Sequence, residues 1–567
     1  MKKIAIPAEV RQAFRIYILI AIPVVLFNLV AIFGPKVLLQ DDAAHYYNAV
    51  KGLFPFQYWR KGLSLCSLSE WVSWNIMAFS PQLIRSMYVL FLMVPLSCVI
   101  YNLFRKLGIP NNTAYTAAVL ATILPAQNLV PAFLNGSYIL LGLLAMMGCF
   151  FNSFKYLDME DQRNGKTLFA LLAAILYLLI STQLMDQAVF FFPVLFVAIL
   201  GYKKLNRKHL YLALSFIPVT AYKFVWILLL PRETAEIMPL TGSLIFLRLK
   251  YYFFAMLPFS NSLKPYTNAV LITIIAIIIT GLILTLKNPQ NTFIRSIPFA
   301  HLSPRQFTLY IYGFLLMWTI GNIIAFVTIS KFQTVRYSYI AAYGLIALLL
   351  ISSVAIFKRI FMARSFLINT AFIILIFQSG VFRTVELKAN YDSLNKTQFD
   401  IQKKLSTFNF PKDTQIVIYV KKQENHWGFW GTSSGHLKFI LKRNDIDGLI
   451  GSKAVHYFDF YNPFNPKFRG YGTGDRMNGL RIDRPLFLFV ENKYGFRQYE
   501  YALQWRRKKP GAPWTIYRVN RSTGAIVSFT SGRGREEYLL KLKELEKSGL
   551  QQTDILWGGP LNGVVTP

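Results

Sequence analysis

The chain has 567 residues, of which 54% are hydrophobic and only 16% charged. Its mean hydropathy is +0.38. Soluble domains carry roughly 25% charged residues, so most of this chain cannot face water, and disordered, collagen-like and coiled-coil classes are excluded. The net charge is +34, and residues 1–381 hold 31 basic and 10 acidic side chains against 30 and 17 in residues 382–567. A basic excess suits nucleic acid, anionic lipid or phosphorylated substrates. The apolar spans decide for the membrane, and no nucleic-acid partner is expected.

A bilayer core needs about 20 apolar residues per helix. Such stretches lie near 14–33, 86–104, 113–131, 136–154, 168–181, 188–201, 209–230, 268–286, 307–329, 338–357 and 365–381. They make about eleven transmembrane helices. The first has no small-residue cleavage signature and reads as a retained helix. The stretch 168–201 would measure about 50 Å as one helix, too long for one crossing. Its middle, Ser181-Thr182-Gln183-Leu184-Met185-Asp186-Gln187, splits it into a hairpin with Asp186 at the turn. Residues 243–260, between Pro239 and Pro265, read as an interfacial helix.

Basic residues orient the spans. The segments 1–15, 104–112, 155–167, 202–208, 287–306 and 358–364 hold 19 Lys/Arg in 71 residues. The alternate segments 34–84, 132–135, 182–187, 231–267 and 330–337 hold 10 in 106 residues. The N-terminus is therefore expected inside, and residues 382–567 outside.

That tail has short alternating runs: Gln415–Val420, Leu486–Val490, Trp514–Val519 and Ala525–Phe529 are expected strands, and 392–406 and 535–549 expected helices. It reads as a soluble mixed α/β domain on a polytopic α-helical membrane module, 1–381, whose first outer loop is 34–85. The three cysteines, Cys66, Cys98 and Cys149, all precede it, so it folds without disulfides. No Cys/His cluster suits zinc or an iron–sulfur centre. No phosphate-binding glycine loop, HExxH or GxSxG occurs either.

The most informative stretch is Gln40-Asp41-Asp42-Ala43-Ala44-His45-Tyr46-Tyr47, just past the first span. Two adjacent carboxylates at a membrane face are costly unless solvated, paired or metal-bound. On a helix they point about 100° apart, so they do not share one proton. Helix capping by Asp is the competing reading. His45 is a structural imidazole or a neighbour of these acids. Further along the loop, Arg60 and Lys61 beside Trp59 suit a lipid phosphate or simple headgroup contact. Asp186 is the only acid between Asp161 and Glu233. It is a functional carboxylate or a plain turn residue. Lys331, Arg336 and Tyr337 precede the tenth span, and Arg336 either pairs a phosphate or snorkels.

This layout resembles the GT-C superfamily of integral-membrane glycosyltransferases. Asp41-Asp42 matches its acidic motif in the first outer loop. Leu184-Met185-Asp186-Gln187 looks like its later acidic turn, and Arg336-Tyr337 resembles the Arg-Tyr opening a late span. Trp59-Arg60-Lys61-Gly62 is loosely similar to a step in GtrII-like O-antigen glucosyltransferases, with the basic-Gly order changed. The resemblance implies sugar transfer from a polyprenyl-phosphate donor to a cell-envelope glycan or lipid-linked acceptor. It casts Asp41 as general base with Asp42 as alternate, and Asp186 as the group orienting acceptor or metal. Arg60, Lys61, His45, Lys331, Arg336 and Tyr337 would bind donor phosphate or sugar. A divalent cation, Mg or Mn, is left open, with Asp41, Asp42 or Asp186 as its ligands. The expected location is a bacterial inner membrane with the tail periplasmic. A flippase or transporter, or an O-antigen ligase or polymerase, are the competing readings.

Overall fold

The computed structural model describes all residues except 1–7, 39, 57–62, 125–136, 160–164, 186–187, 190, 230–241, 258–265, 290–292, 330–338, 363, 407, 421–432, 452–485, 493–494, 499–500, 505–512, 520–525, 534–535, 538–539, 542–543 and 545–567. The chain forms two compact units. One comprises Met1–Gly34, Pro55–Ser73 and Gln82–Ala389; the other comprises Pro35–Phe54, Trp74–Pro81 and Asn390–Pro567.

The first unit is helical. Its helices are α1 (Ala8–Leu26) and α2 (Leu29–Phe33). α3 (Gln40–Val50) belongs to the second unit. α4 (Ser64–Phe79) contributes to both units and precedes α5 (Pro81–Lys106). Then come α6 (Asn111–Thr122), α7 (Ser137–Asp158), α8 (Gly165–Leu184), α9 (Phe191–Gly201), α10 (Arg207–Leu229) and α11 (Gly242–Ala255). α12 (Thr267–Lys287), α13 (Pro304–Ile329), α14 (Tyr339–Arg359) and α15 (Ser365–Leu405) complete the series. A lipid core offers no water to backbone N–H and C=O groups, so spanning segments must be helical. Six of the described helices are long and apolar enough to cross a membrane: Pro81–Lys106, Tyr138–Asp158, Gly165–Leu184, Thr267–Lys287, Tyr339–Arg359 and Ser365–Lys403. The protein is a helical integral membrane protein. The stretch 168–201 is broken between Leu184 and Phe191, as its polar middle requires.

α14 lies at the centre, with 72% of its most apolar window buried, against 17% for α12. The two helices meet closely: a Cβ on Gly281 would stand 2.4 Å from Ser352 Cβ. Small residues permit such approach where lipid gives no hydrophobic drive. Large apolar side chains such as Phe169, Ile272 and Ile373 stay exposed on outward faces, where acyl chains cover them. Within α5, Tyr88–Met93 widens to a π-turn. Pro95 lacks an N–H for the preceding turn, and such bulges absorb that loss.

Helix ends meet at one face of this unit. Asp158 accepts ion pairs from Lys106 (3.2 Å) and Lys203 (3.4 Å) and a hydrogen bond from Tyr202 (2.8 Å). The Ile294 N–H donates to Gly108 O (2.9 Å), and the Lys203 N–H donates to Pro298 O (2.8 Å). Four of the six segments expected inside, 104–112, 155–167, 202–208 and 287–306, are thus joined to one another. At the other ends lies a buried polar chain. Arg383 donates to Asn28 Oδ1 (2.6 Å) and Thr122 O (2.7 Å). Thr122 Oγ1 contacts Ser97 Oγ (2.6 Å) and Tyr343 Oη (2.9 Å), and Tyr343 contacts Tyr339 (2.9 Å).

The second unit contains β1 (Gln415–Val420), α16 (Ser433–Leu441), β2 (Asp447–Gly451), β3 (Leu486–Asn492) and β4 (Gly495–Gln498). They form a sheet of order β2-β1-β3-β4, with β1 parallel to β2 and β3 and β3 antiparallel to β4. A parallel pair needs a crossover, and α16 supplies it between β1 and β2. A second, antiparallel sheet joins β5 (Tyr501–Gln504), β6 (Pro513–Val519) and β7 (Ile526–Arg533). Ile416, Leu437, Ile440 and Ile446 form a small core with Ile401 and Leu405 of α15. The expected helix 392–406 is the end of α15, continuous with the last apolar stretch.

The turn before β2 is pinned by Arg443, which donates to Asp445 Oδ1 (3.0 Å), Phe410 O (2.7 Å) and Pro411 O (3.0 Å). Arg443 holds the Asp445 carboxyl down at about 2. A folded-state value below the unfolded value of about 3.9 means the contribution is complete above that pH and is lost as pH falls through about 2. Asp445→Asn should therefore lower the unfolding midpoint of the strand unit at pH 6, with the difference from wild type vanishing near pH 2. Urea titrations followed by circular dichroism at both pH values check this. Replacing Arg383 with Leu removes the donor to two buried acceptors and should destabilise the helical unit by about 2 kcal/mol or more. Thermal unfolding in detergent reads that loss.

Candidate functional site

The acidic stretch folds as α3, with both Asp41 and Asp42 in its first turn. At about 100° per residue, positions 43, 46, 47 and 50 share one face of this helix, and positions 41, 45 and 48 share the opposite one. The first face packs on α16. Tyr46 meets Phe439 edge to face at 5.4 Å between ring centroids, and Lys438 Nζ lies 5.3 Å from the Tyr47 ring centre. Gly435 admits no side chain: a Cβ there would stand 1.7 Å from Ala43 O.

The start of the helix is held as well. Leu38 O accepts hydrogen bonds from Gln398 Nε2 (3.0 Å) and His436 Nε2 (3.1 Å). Beneath the contact, Lys438 is fully buried and donates to Asn444 O (2.6 Å) and Ile446 O (2.5 Å) and pairs with Asp447 (3.0 Å). Burial pushes the Lys438 ammonium below its ordinary value, while Asp447 acts the other way. The tail thus supplies the platform on which the acidic helix rests.

Three polar residues of α3 are buried. Asp42 is wholly buried, His45 is 6% exposed and Asn48 is 5% exposed. His45 stacks on Trp74 at 4.7 Å. Asn48 Oδ1 is buried and has no hydrogen-bond partner among the described residues. A buried, unmet acceptor is expensive, which marks Asn48 as a place where a donor belongs. Sequence reasoning passed over Asn48. Its signal was its spacing, three residues after His45 and seven after Asp41.

In the first unit, the N–H and hydroxyl of Ser64 both donate to Gln183 Oε1, at 3.3 and 3.0 Å. Ser64 lies three residues after Lys61, and Gln183 three before Asp186. The first loop and the acidic turn are thereby tied across 119 residues. Glu70 of α4 and Arg85 of α5 are also buried charged groups that sequence reasoning had not selected. Asp186, Arg60, Lys61, Lys331, Arg336 and Tyr337 lie outside the described residues, as does the side chain of Asp41. Their expected convergence on one cavity lies there too. Among the described residues no three His, Cys, Asp or Glu side chains come together as a metal centre. The Asp42–His45 pair alone does not make the six-oxygen set that Mg or Ca prefers.

No known family matches the chain, and no curated protein matches it. Among solved structures it is similar to the oligosaccharyltransferase of Archaeoglobus fulgidus in its apo form, at 14% identity and a TM-score of 0.39. The match covers 78% of this chain and 64% of that one, so the chain spans less than two thirds of the length of that protein.

The Gly435 contact yields a direct test of the platform. Gly435→Ala must push α3 off α16, because the added Cβ would stand only 1.7 Å from the backbone oxygen of Ala43. Hydrogen exchange of residues 40–50 in the intact protein should rise by about tenfold or more, as an overpacked contact costs about 1–3 kcal/mol.

Proposed function

We propose that the protein is a membrane glycosyltransferase of GT-C type, moving a sugar from a polyprenyl-phosphate donor to a glycan or lipid-linked acceptor of the cell envelope. The observation that carries the reading is the burial of Asp42, His45 and Asn48 on α3, a short helix following the first apolar helices in sequence. Asp42 is one of two carboxylates in the first turn of that helix, and burying it without a task would be costly.

In this reading the Asp41 carboxylate takes the proton of the acceptor hydroxyl as its oxygen forms the new bond to the anomeric carbon. The bond from that carbon to the phosphate oxygen breaks, and the lipid phosphate leaves with the electron pair. Arg336 and Arg60, with Lys61, Lys331 and Tyr337, are the groups assigned to that phosphate. Asp42 and His45 hold the base and acceptor in place, and Asn48 Oδ1 accepts from a sugar hydroxyl. A divalent cation such as Mg or Mn, where one is used, would take Asp41, Asp42 or Asp186 as ligand and add charge stabilisation at the leaving phosphate. The reading places the chemistry at the outer face of a bacterial inner membrane.

The experiment is transfer by purified protein from a polyprenyl-phosphate sugar to envelope glycan, followed by mass spectrometry of the product. Asp41→Asn should lower the rate about 10²–10⁴-fold with normal expression. Asp42→Asn should give a milder loss, and Asn48→Ala a higher KM with kcat less affected. Full activity in both aspartate variants would contradict the assignment.

A further inference from the structure

At the basic face of the helical unit, where α14 ends and α6 and α15 begin, lies a cleft of about 270 Å³. Its walls are graded in polarity. On α14, Lys358, Val354 and Ile351 follow one another at spacings of four and three residues, so they form one stripe running down from the mouth. On α15, Ser365, Asn369 and Phe372 make the matching stripe. Ser365 and Lys358 stand at the helix ends; Phe372 and Ile351 stand two turns deeper, among apolar residues of the spans. Asn112 Nδ2 donates to Asn369 Oδ1 (2.8 Å), closing the wall on the α6 side.

The charge at the mouth is of one sign. Lys358 is exposed there, Arg359 and Arg364 flank it in sequence, and Asp and Glu are absent from residues 237–385. Pro110, which precedes α6, gives its first turn no side-chain cap. A polar, cationic rim above apolar walls fits an amphiphile with an anionic head. A free inorganic anion would have no use for the apolar floor. The volume is just below the usual range of about 300–1,000 Å³ for ligand pockets, enough for a headgroup and the first carbons but not a whole lipid. The rest of such a molecule would lie along the exposed apolar flank of α15, where Phe366 and Ile373 face outward.

We infer that this cleft binds the phosphodiester headgroup of an anionic membrane phospholipid, with Lys358 as its cation and the Ile351–Phe372 walls receiving the upper acyl carbons. The site is independent of the transfer chemistry.

Native mass spectrometry of the full chain in detergent tests it, with phosphatidylglycerol, phosphatidylcholine and inorganic phosphate as separate titrants. One phosphatidylglycerol should be retained about tenfold more tightly than phosphatidylcholine, and Lys358→Gln should weaken it about fivefold, the worth of one cation near the surface. Phe372→Trp, which fills the floor, should weaken both lipids. Lys204→Gln, an exposed cation on another connection, should change nothing. Equal retention of the two lipids would overturn the inference. So would an equal loss in Lys204→Gln, which would mean general surface charge, or displacement by inorganic phosphate at lipid-like concentrations, which would mean a free-anion site.

Discussion

The carbonyl oxygen of Leu38 accepts two hydrogen bonds, from Gln398 and from His436, and two residues later the acidic helix begins. Everything distinctive about the second unit follows from holding this short helix in place. An isolated eleven-residue helix is marginal in water, so its order must come from packing. Gly435 lets α16 come close enough to touch its backbone, and Tyr46 and Tyr47 bury their rings on Phe439 and Lys438. With one face thus engaged, the opposite face carries positions 41, 45 and 48 at one-turn and two-turn spacings. The tail is therefore structural support for the acidic motif, which gives a role to a region whose sequence suggested none.

The helical unit obeys a different constraint. Its backbone groups must be met internally, and its polar side chains collect at the two ends of the helices. One end gathers Lys106 and Lys203 around Asp158. The other threads Arg383 through Asn28, Thr122, Ser97, Tyr343 and Tyr339.

Much of this was legible beforehand because apolar period and turn chemistry are local. The break in 168–201 was announced by Gln183 and Asp186, and Gln415–Val420 by its run of β-branched residues. What stayed hidden was non-local. The loop 34–85 reads as one piece with the spans, yet Pro35–Phe54 and Trp74–Pro81 belong to the compact unit of the tail. Nothing near Ala43 announces that its partner is Gly435, because the contact joins residues almost 400 positions apart. The strand Asp447–Gly451 escaped notice since two of its five residues are glycines, which sequence patterns assign to turns. The burial of Lys438 depends on Asp447 and two carbonyls brought up by the fold. At the candidate site the carboxylates were visible as a rare pair at a membrane face. Asn48 was invisible because an asparagine has no meaning until its surroundings are dry.

The measurement that bears most directly on the account is electron cryo-microscopy of the intact protein with a polyprenyl-phosphate sugar. The account predicts density for the sugar phosphate against the face of Gln40–Val50 that carries Asp41, His45 and Asn48, with a sugar hydroxyl within about 3 Å of Asn48 Oδ1. Donor density seated away from that helix, with Asp41 and Asn48 touching only protein, would contradict it.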